Sequence, residues 1–199
     1  MPDLFSQPRR GGNTDAMLKW LVEGAAEAGE AMAVVPLRDL VVQPCSGCER
    51  CRRDKRCTGQ IDAMQLLYPL IEAAEGLVLA SPTHHYNVTA WMKAFIDRLY
   101  CYYDFSDHRP RRWSSRLAGQ GRRAVVCTVA EQPAPEDLGF TPGAMARPLT
   151  APGYRVMEQL AAQPFFDRGS VRRDPSLAER VRAGGARLAR AAGAGAHDD

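Results

Sequence analysis

The chain has 199 residues, a formal net charge of +3 and 45% hydrophobic residues. This length fits one domain, and the ordinary globular composition excludes a collagen, a coiled coil and a disordered chain. The small excess of positive charge gives no support for nucleic-acid binding by itself. Cysteine is the unusual residue, because four of the six cysteines lie between Cys45 and Cys57.

Helical and β-rich segments alternate along the chain. A short first strand is placed at residues 1–5, and the next strands are predicted at 31–37, 76–80, 124–129 and 153–160. Helices are predicted at 14–28, 63–74, 89–100 and 175–192. Residues 144–151 are a further candidate helix, which Pro148 leaves open. Neither a membrane-spanning run nor a signal peptide is visible, so we expect a cytoplasmic protein.

Alternating strands and helices predict a doubly wound α/β fold with a parallel sheet. Residues 1–192 are expected to form a single domain, and 193–199 a frayed tail. Ligands of such folds bind outside the carboxyl ends of the strands. The loops that directly follow strands are therefore the candidate functional segments.

The loop before the first helix has the composition of an anion site. Two adjacent glycines let backbone N–H groups approach a ligand, and Asn13 or Thr14 can cap the helix, whose N-terminus carries a partial positive charge. Arg9 and Arg10 add formal charge. These residues fit a phosphate site, and they fit equally well a surface loop with an ordinary cap.

The loop at 81–89 carries two imidazoles, a phenol, an amide and several hydroxyls. Such groups can contact a flat, polar heteroaromatic ligand. His84 and His85 can also be read as a metal pair, although adjacent histidines on an irregular loop are weak evidence for one. The plain alternative is a polar loop in which Thr89 caps the next helix.

The clustered cysteines follow the pattern Cys-x2-Cys-x2-Cys-x5-Cys, at Cys45, Cys48, Cys51 and Cys57. Two-residue gaps turn successive thiolates toward a common centre, as in [4Fe–4S] sites. Four thiolates can also bind zinc, and a plain loop without metal is the third alternative. Five basic side chains and one acidic one give residues 50–56 a local charge of +4. This charge would stabilise thiolates or bind the 2′-phosphate of NADPH. The plain alternative is a basic loop exposed to solvent.

A second basic segment runs from residue 108 to residue 123, with six arginines and no acid. It could attract an anionic cosubstrate or RNA. Trp113 alone offers no stacking array, so nucleic acid is not an expected partner.

The order of these motifs resembles the flavodoxin-like NAD(P)H-dependent FMN reductase family, and within it the branch of iron–sulfur flavoproteins. The resemblance rests on the Pro-Arg-Arg-Gly-Gly-Asn-Thr loop, the cysteine loop and the Ser-Pro-Thr-x-x-Tyr-Asn-Val-Thr segment that leads into Met-Lys-Ala-Phe-Ile-Asp-Arg. It implies a flavodoxin-like, doubly wound parallel five-stranded sheet in the order 2-1-3-4-5, with helices on both faces. It also implies one FMN per site and a homodimer or homotetramer.

The resemblance assigns the FMN phosphate to Arg9, Asn13 and Thr14, and the flavin ring to the loops after the third and fourth strands. Ser6 and Gln7 stand where the family has Gly-Ser, and His84 stands where many members have Tyr. The family's first strand is central, whereas here it is short and contains Pro2. We therefore expect either that this strand is abbreviated or that the protein begins further upstream. The implied flavin residues are Gln7, Arg9, Gly12, Asn13, Thr14, Pro82, Thr83, His84, His85, Tyr86, Asn87, Thr128, Ala130 and Glu131.

The implied activity is hydride transfer from NAD(P)H to N5 of FMN, followed by electron delivery to a small-molecule acceptor, such as a quinone or flavin, or to a protein. The flavin carries this chemistry, so no catalytic side chain is predicted. One alternative is an iron–sulfur flavoprotein electron carrier with a [4Fe–4S] cluster on the cysteine loop. Another is a metal-stabilised binding module without turnover.

Overall fold

A parallel sheet of five strands runs through the computed structural model, which describes residues 2–5 and 10–194, with only the backbone of 2–5 and 194. The strands are β1 (Pro2–Phe5), β2 (Ala33–Pro36), β3 (Gly76–Pro82), β4 (Tyr103–Phe105), β5 (Trp113–Ser115), β6 (Arg123–Val129) and β7 (Arg155–Ala162). The helices are α1 (Asn13–Glu27), α2 (Arg50–Asp54), α3 (Met64–Ala73), α4 (Ala90–Arg98), α5 (Thr141–Thr150) and α6 (Pro175–Ala194).

The strands of this sheet pair in the order β2-β1-β3-β6-β7, all in parallel. The predicted α/β class with a parallel sheet is therefore confirmed. Pro2 stands at the first position of β1, where a strand tolerates proline. β4 and β5, which the sequence patterns did not predict, form a separate antiparallel ribbon.

Strand β3 is buried on both faces because its side chains alternate between two apolar layers. Leu77 and Leu79 pack in the layer that contains residues of α3, α4 and α5. Val78 and Ala80 pack in the layer that contains residues of α1 and α6. Burying each leucine or valine side chain contributes roughly 1.5–3 kcal/mol. Strand β3 therefore stabilises both layers of the core.

Several element boundaries differ from the predicted ones. Helix α5 includes Pro148 and begins at Thr141, with Pro142 in its first turn, where the missing N–H costs little. The short helix α2 lies inside the cysteine segment, which was expected to be a loop. Helix α6 continues through Gly193 to Ala194, and residues 195–199 of the predicted tail lie outside the described part of the chain.

Within residues 2–5 and 10–194, no helix is both long and apolar enough to cross a membrane.

Two glycines let the backbones of α1 and α6 approach closely. A Cβ atom at Gly24 would overlap the carbonyl oxygen of Arg182, and one at Gly185 would overlap that of Leu21. An ion pair between Arg182 and Glu23 at 2.9 Å joins the same two helices. The contact is therefore one of backbone against backbone, with no room for a side chain at either glycine.

This contact predicts opposite effects for two Gly→Ala substitutions in helices. Gly185→Ala should lower the free energy of unfolding by about 1–3 kcal/mol, because backbone atoms must move apart. Gly143→Ala in α5, where a Cβ would meet nothing within 4 Å, should raise it by about 0.5–1 kcal/mol through helix propensity. Urea unfolding measures both, and equal effects would contradict the close contact.

Candidate functional site

The carboxyl edge of the sheet holds a cavity of about 160 Å³. Four loops contribute to it, from the start of α1 and from the ends of β3, β6 and β7. Its lining residues are Gly12, Asn13, Thr14, Pro82, Thr83, His84, Val129, Glu131, Phe165, Phe166 and Arg168. The cavity thus brings together seven predicted flavin residues, namely Gly12, Asn13, Thr14, Pro82, Thr83, His84 and Glu131.

The N-terminus of α1 contributes the buried residue Thr14 to the lining of this cavity. Thr14 is 0% exposed, and its Oγ1 has no hydrogen-bond partner within the described residues. A buried polar group without a partner costs about 1–3 kcal/mol. The helix is capped by Gly12, whose backbone is extended and which has no capping side chain. A hydrogen-bonding ligand at this point would satisfy both the hydroxyl and the free N–H groups of the first turn.

The side chain of Asn13 also makes hydrogen bonds within the protein. Its Nδ2 donates to the carbonyl oxygen of Phe165 at 3.4 Å, and its Oδ1 accepts from the backbone N–H of Val171 at 3.3 Å. The side chain therefore ties α1 to the segment that follows β7. This use of the amide leaves the helix cap to Gly12 and reduces what Asn13 can offer to a phosphate.

The turn at His84–Asn87 is closed by two backbone hydrogen bonds between those residues, of 2.8 and 3.0 Å. His85 and Tyr86, at its tip, have positive φ angles of 51° and 63°. Such conformations cost non-glycine residues about 1–3 kcal/mol each, so the surroundings must hold them. The backbone N–H of Phe140 donates to the carbonyl oxygen of Tyr86 at 2.8 Å and fixes the turn from outside.

A second cavity of about 150 Å³ adjoins the first and shares Thr83 and Glu131 with it. It contains three more predicted flavin residues, His85, Tyr86 and Ala130.

Two other predicted residues, Asn87 and Thr128, line neither cavity. The side chain of Asn87 accepts from the backbone N–H of Val88 at 2.8 Å, and the hydroxyl of buried Thr128 lies 3.3 Å from that of Thr83. Asn87 thus supports its own turn, whereas Thr128, in β6, supports the loop that follows β3. The remaining two predicted residues, Gln7 and Arg9, lie outside the described residues.

Sequence reasoning missed the contribution of the segment after β7. Phe165, Phe166 and Arg168 line the first cavity, although no motif marks them. The last strand was predicted to end at residue 160, whereas β7 continues to Ala162. The only available signal was the general rule that loops after parallel strands meet at one edge.

The four clustered cysteines surround a separate cavity of about 300 Å³. Cys45 and Cys48 are exposed, and Cys51 and Cys57 are half-buried. A hydrogen bond from the backbone of Arg50 lowers the pKa of Cys48, whereas burial and the neighbouring Cys57 raise the pKa of Cys51. Within the described residues, no three His, Cys, Asp or Glu side chains are grouped so that they could hold a metal ion.

A buried ion pair between Arg98 and Asp62 holds the backbone just before the first clustered cysteine. Arg98 is 2% exposed, and its Nη1 and Nη2 donate to the carboxylate of Asp62 at 2.6 and 3.2 Å. The same carboxylate accepts from the backbone N–H groups of Gln43 and Met64, and Arg98 also donates to the carbonyl oxygen of Gln43. Burial opposes ionisation of Asp62, but these hydrogen bonds outweigh it and lower its pKa.

Two arginines of the basic segment at 108–123 are structural, which corrects their interpretation as part of an anion-attracting patch. Arg122 is buried and donates to the carbonyl oxygens of Ile71, Glu72 and Ala74, where α3 ends. Arg116 donates to the carbonyl oxygens of Lys55 and Cys101. Both guanidinium groups satisfy backbone acceptors, as basic side chains do at helix ends.

Solved structures with similar folds define the class of this protein as flavodoxin-like. A flavone reductase superposes with a TM-score of 0.68 at 16% identity, covering 100% of this chain and 65% of its own. An NAD(P)H:quinone oxidoreductase from Methanothermobacter marburgensis superposes with a TM-score of 0.65 at 20% identity, covering 94% and 95%. At these identities the similarity shows the fold alone.

The family is shown by sequence. The family model of NADPH-dependent FMN reductases matches residues 4–130, and the chain belongs to that family. An iron–sulfur flavoprotein of Archaeoglobus fulgidus is 35% identical over 107 residues, which cover 54% of this chain and 46% of the relative. One of Methanocaldococcus jannaschii is 32% identical over 95 residues, covering 48% and 49%. The family and branch predicted from the motifs are confirmed, and the chain spans about half the length of these relatives.

The buried pair predicts a large effect for Asp62→Asn. The substitution leaves Arg98 without its carboxylate and should lower the free energy of unfolding at pH 7 by roughly 3–5 kcal/mol. Because the folded-state pKa of Asp62 is lowered, the contribution is complete above the unfolded-state value of about 3.9 and is lost as the pH falls through the lower folded value. The difference from wild type should therefore shrink in acid, as denaturant titrations at several pH values would measure.

The matched control is Asp97→Asn, which breaks the exposed Lys93–Asp97 pair on α4. It should change the free energy of unfolding by less than about 1 kcal/mol, since exposed pairs contribute little. If Asp62→Asn has an equally small effect, or one that does not depend on pH, the buried pair does not hold the segment.

Proposed function

We propose that this chain binds FMN and is an oxidoreductase that takes reducing equivalents from NAD(P)H and passes them to an acceptor such as a quinone or a flavin. One observation carries the proposal: the N-terminus of α1 and the polar loop after β3 line two adjoining cavities at the same edge of a parallel sheet. Membership of the NADPH-dependent FMN reductase family supports the same conclusion. The acceptor and the predicted homo-oligomeric state stay predictions.

The residues present fit FMN. The unpartnered hydroxyl of Thr14 and the first-turn N–H groups of α1 suit the phosphate, and the loop at Pro82–Asn87 suits the ring. Glu131 lines both cavities, and its carboxylate can only accept hydrogen bonds, so it suits the ring N–H donor. Bound FMN supplies the two-electron chemistry.

The protein's own contribution is to position the ring and limit its contact with water. Thr128 supports the hydroxyl of Thr83, and the Tyr86–Phe140 hydrogen bond holds the turn against the ring site. Phe165 and Phe166 add apolar surface at the first cavity. A fixed, partly apolar site of this kind favours direct transfer between two ring systems over side reactions with solvent.

The decisive experiment is anaerobic reconstitution with FMN followed by stopped-flow mixing with NADH or NADPH. We expect a protein-bound flavin spectrum that bleaches on mixing. Double-reciprocal plots of the initial rate, measured at several concentrations of donor and acceptor, should give parallel lines, as for a ping-pong mechanism. A protein that takes up no FMN would overturn the flavin site. Bound FMN that neither nicotinamide reduces would overturn the reductase but leave the flavin site in place.

Thr14→Val tests the phosphate end of the site. The variant keeps the shape of the side chain and loses no hydrogen bond within the described residues, so its free energy of unfolding without FMN should not fall by more than about 0.5 kcal/mol. The Kd for FMN should rise roughly 10- to 100-fold, because a hydrogen bond to a charged group is worth about 1.5–3 kcal/mol.

Thr141→Val is the control for this substitution. Thr141 is also 0% exposed, and its hydroxyl has no partner in the described part of the chain, but it lies in α5, outside the first cavity. It should leave the Kd for FMN unchanged in a fluorescence-quenching titration. Equal losses of affinity in both variants would show a general packing effect and argue against a phosphate at Thr14.

A second candidate function is electron transfer through an iron–sulfur cluster, and one observation favours it. All four predicted ligands, Cys45, Cys48, Cys51 and Cys57, surround one cavity. A zinc ion needs four ligand atoms about 2.3 Å from a single point, whereas a cluster takes its thiolates on separate irons. Within the described residues, no three His, Cys, Asp or Glu side chains are grouped around one metal ion, so the four-cysteine lining and its sequence spacing are what support this candidate. The names of the two archaeal relatives point the same way.

Cysteine substitutions test this candidate after anaerobic reconstitution with iron and sulfide. Cys51→Ala should abolish the broad visible absorption and the bound iron and sulfide. Cys101→Ala, at a buried cysteine outside this cavity, should keep all three. Zinc bound in place of iron, or no metal in the wild-type protein, would overturn the cluster, and neither result would affect the flavin test.

A further inference from the structure

We propose that the segment after β7 supplies the positive charge for a phosphate monoester bound at the N-terminus of α1, with Arg168 as the residue that contacts it and Arg172 as its support. This inference rests on the proposed function, since the phosphate is that of the bound flavin. It makes the segment a determinant of specificity for FMN over unphosphorylated riboflavin. No motif of the sequence marks either arginine for this role.

The position of Arg168 carries the argument. Its side chain lines the same cavity as Gly12, Asn13 and Thr14. At Gly11, whose φ is +67°, a Cβ atom would lie 3.2 Å from Nη2 of Arg168 and 3.6 Å from its Nε. The guanidinium thus lies directly against the loop that precedes α1, and the glycine leaves the space that this approach needs.

The segment is fastened to the rest of the carboxyl edge at several points. The Asn13 side chain joins Phe165 and Val171, as described above, and the backbone N–H of Phe165 donates to the carbonyl oxygen of Ala130 at 3.0 Å. Nη1 of Arg172 donates to the carbonyl oxygen of Gly11 at 3.3 Å. Arg168 is therefore presented by a segment that is already held, which lowers the entropy lost when a ligand binds.

Among residues 10–194, Arg168 has no hydrogen-bond or ion-pair partner that would compete with a ligand for its charge. The nearest acid of the α1 N-terminus, Asp15, already accepts from the backbone N–H of Gly11 at 2.6 Å and from Arg38 at 3.1 Å. The carboxylate is thus neutralised by other groups, and Arg168 is left facing the cavity.

A phosphate monoester matches these donors by chemistry. It is a dianion near neutral pH with three acceptor oxygens. The planar guanidinium of arginine can donate two parallel hydrogen bonds to such a group, while the first-turn N–H groups of α1 and the hydroxyl of Thr14 approach from the helix side. Riboflavin has the same ring but no phosphate, so it cannot use any of these contacts.

The test compares FMN with riboflavin in Arg168→Gln. Fluorescence-quenching titrations should show a Kd for FMN that rises roughly 10- to 100-fold, as expected for the loss of a hydrogen bond to a charged group, and a Kd for riboflavin that changes less than twofold. The salt dependence of FMN binding should also become weaker. Arg168→Lys keeps the positive charge but cannot donate two parallel hydrogen bonds. Its Kd for FMN should lie between those of the wild type and Arg168→Gln.

The control is Arg173→Gln, which removes the same charge from an exposed position on the next turn that does not line the cavity. It should leave both dissociation constants unchanged. An unchanged Kd for FMN in Arg168→Gln overturns the inference, and so does an equal loss for FMN and riboflavin or an equal effect of Arg173→Gln. Failure of the wild-type protein to bind FMN would instead overturn the proposed function.

Discussion

Parallel pairing on both sides of β3 is the constraint on which the rest of the structure depends. Because β1 and β6 run in the same direction as β3, and β7 in the same direction as β6, every strand of this set ends at one edge. Segments that are more than 150 residues apart in sequence, such as the start of α1 and the loop after β7, therefore meet there. The apolar side chains of β3 stabilise this arrangement by packing in both layers of the core.

A second constraint connects that edge to the cysteine segment. The polar loop after β3 leads into α4, and α4 ends at Arg98, which is buried against Asp62 at the start of α3. Asp62 and Arg98 also hold both backbone polar groups of Gln43, two residues before Cys45. The polar loop after β3 and the cysteine cavity thus lie at opposite ends of one short helix.

Residues that line the two cavities could be predicted from sequence where they lie close together along the chain. Thr14 and the loop at Pro82–Tyr86 form local motifs at helix and strand ends, and the structure brings them to the cavities. Asn13 and Thr128 were assigned to the ligand by position, yet their side chains bond to other parts of the protein. A motif shows which polar groups are present, but the partner that each group takes depends on distant segments.

By itself the sequence determined the family, the parallel α/β class, the cysteine cluster and two of the cavity loops, the one before α1 and the one after β3. Each of these depends on residue spacing over short distances or on hydrophobic periodicity. Only the tertiary structure decided that Arg168, Phe165 and Phe166 complete the first cavity, that Arg116 and Arg122 bond to backbone carbonyls, and that Arg98 is buried with Asp62. The physical reason is the same in each case. The contacts of these side chains are made with groups that are distant in sequence. Packing of the helices against the sheet brings those groups within a few ångströms.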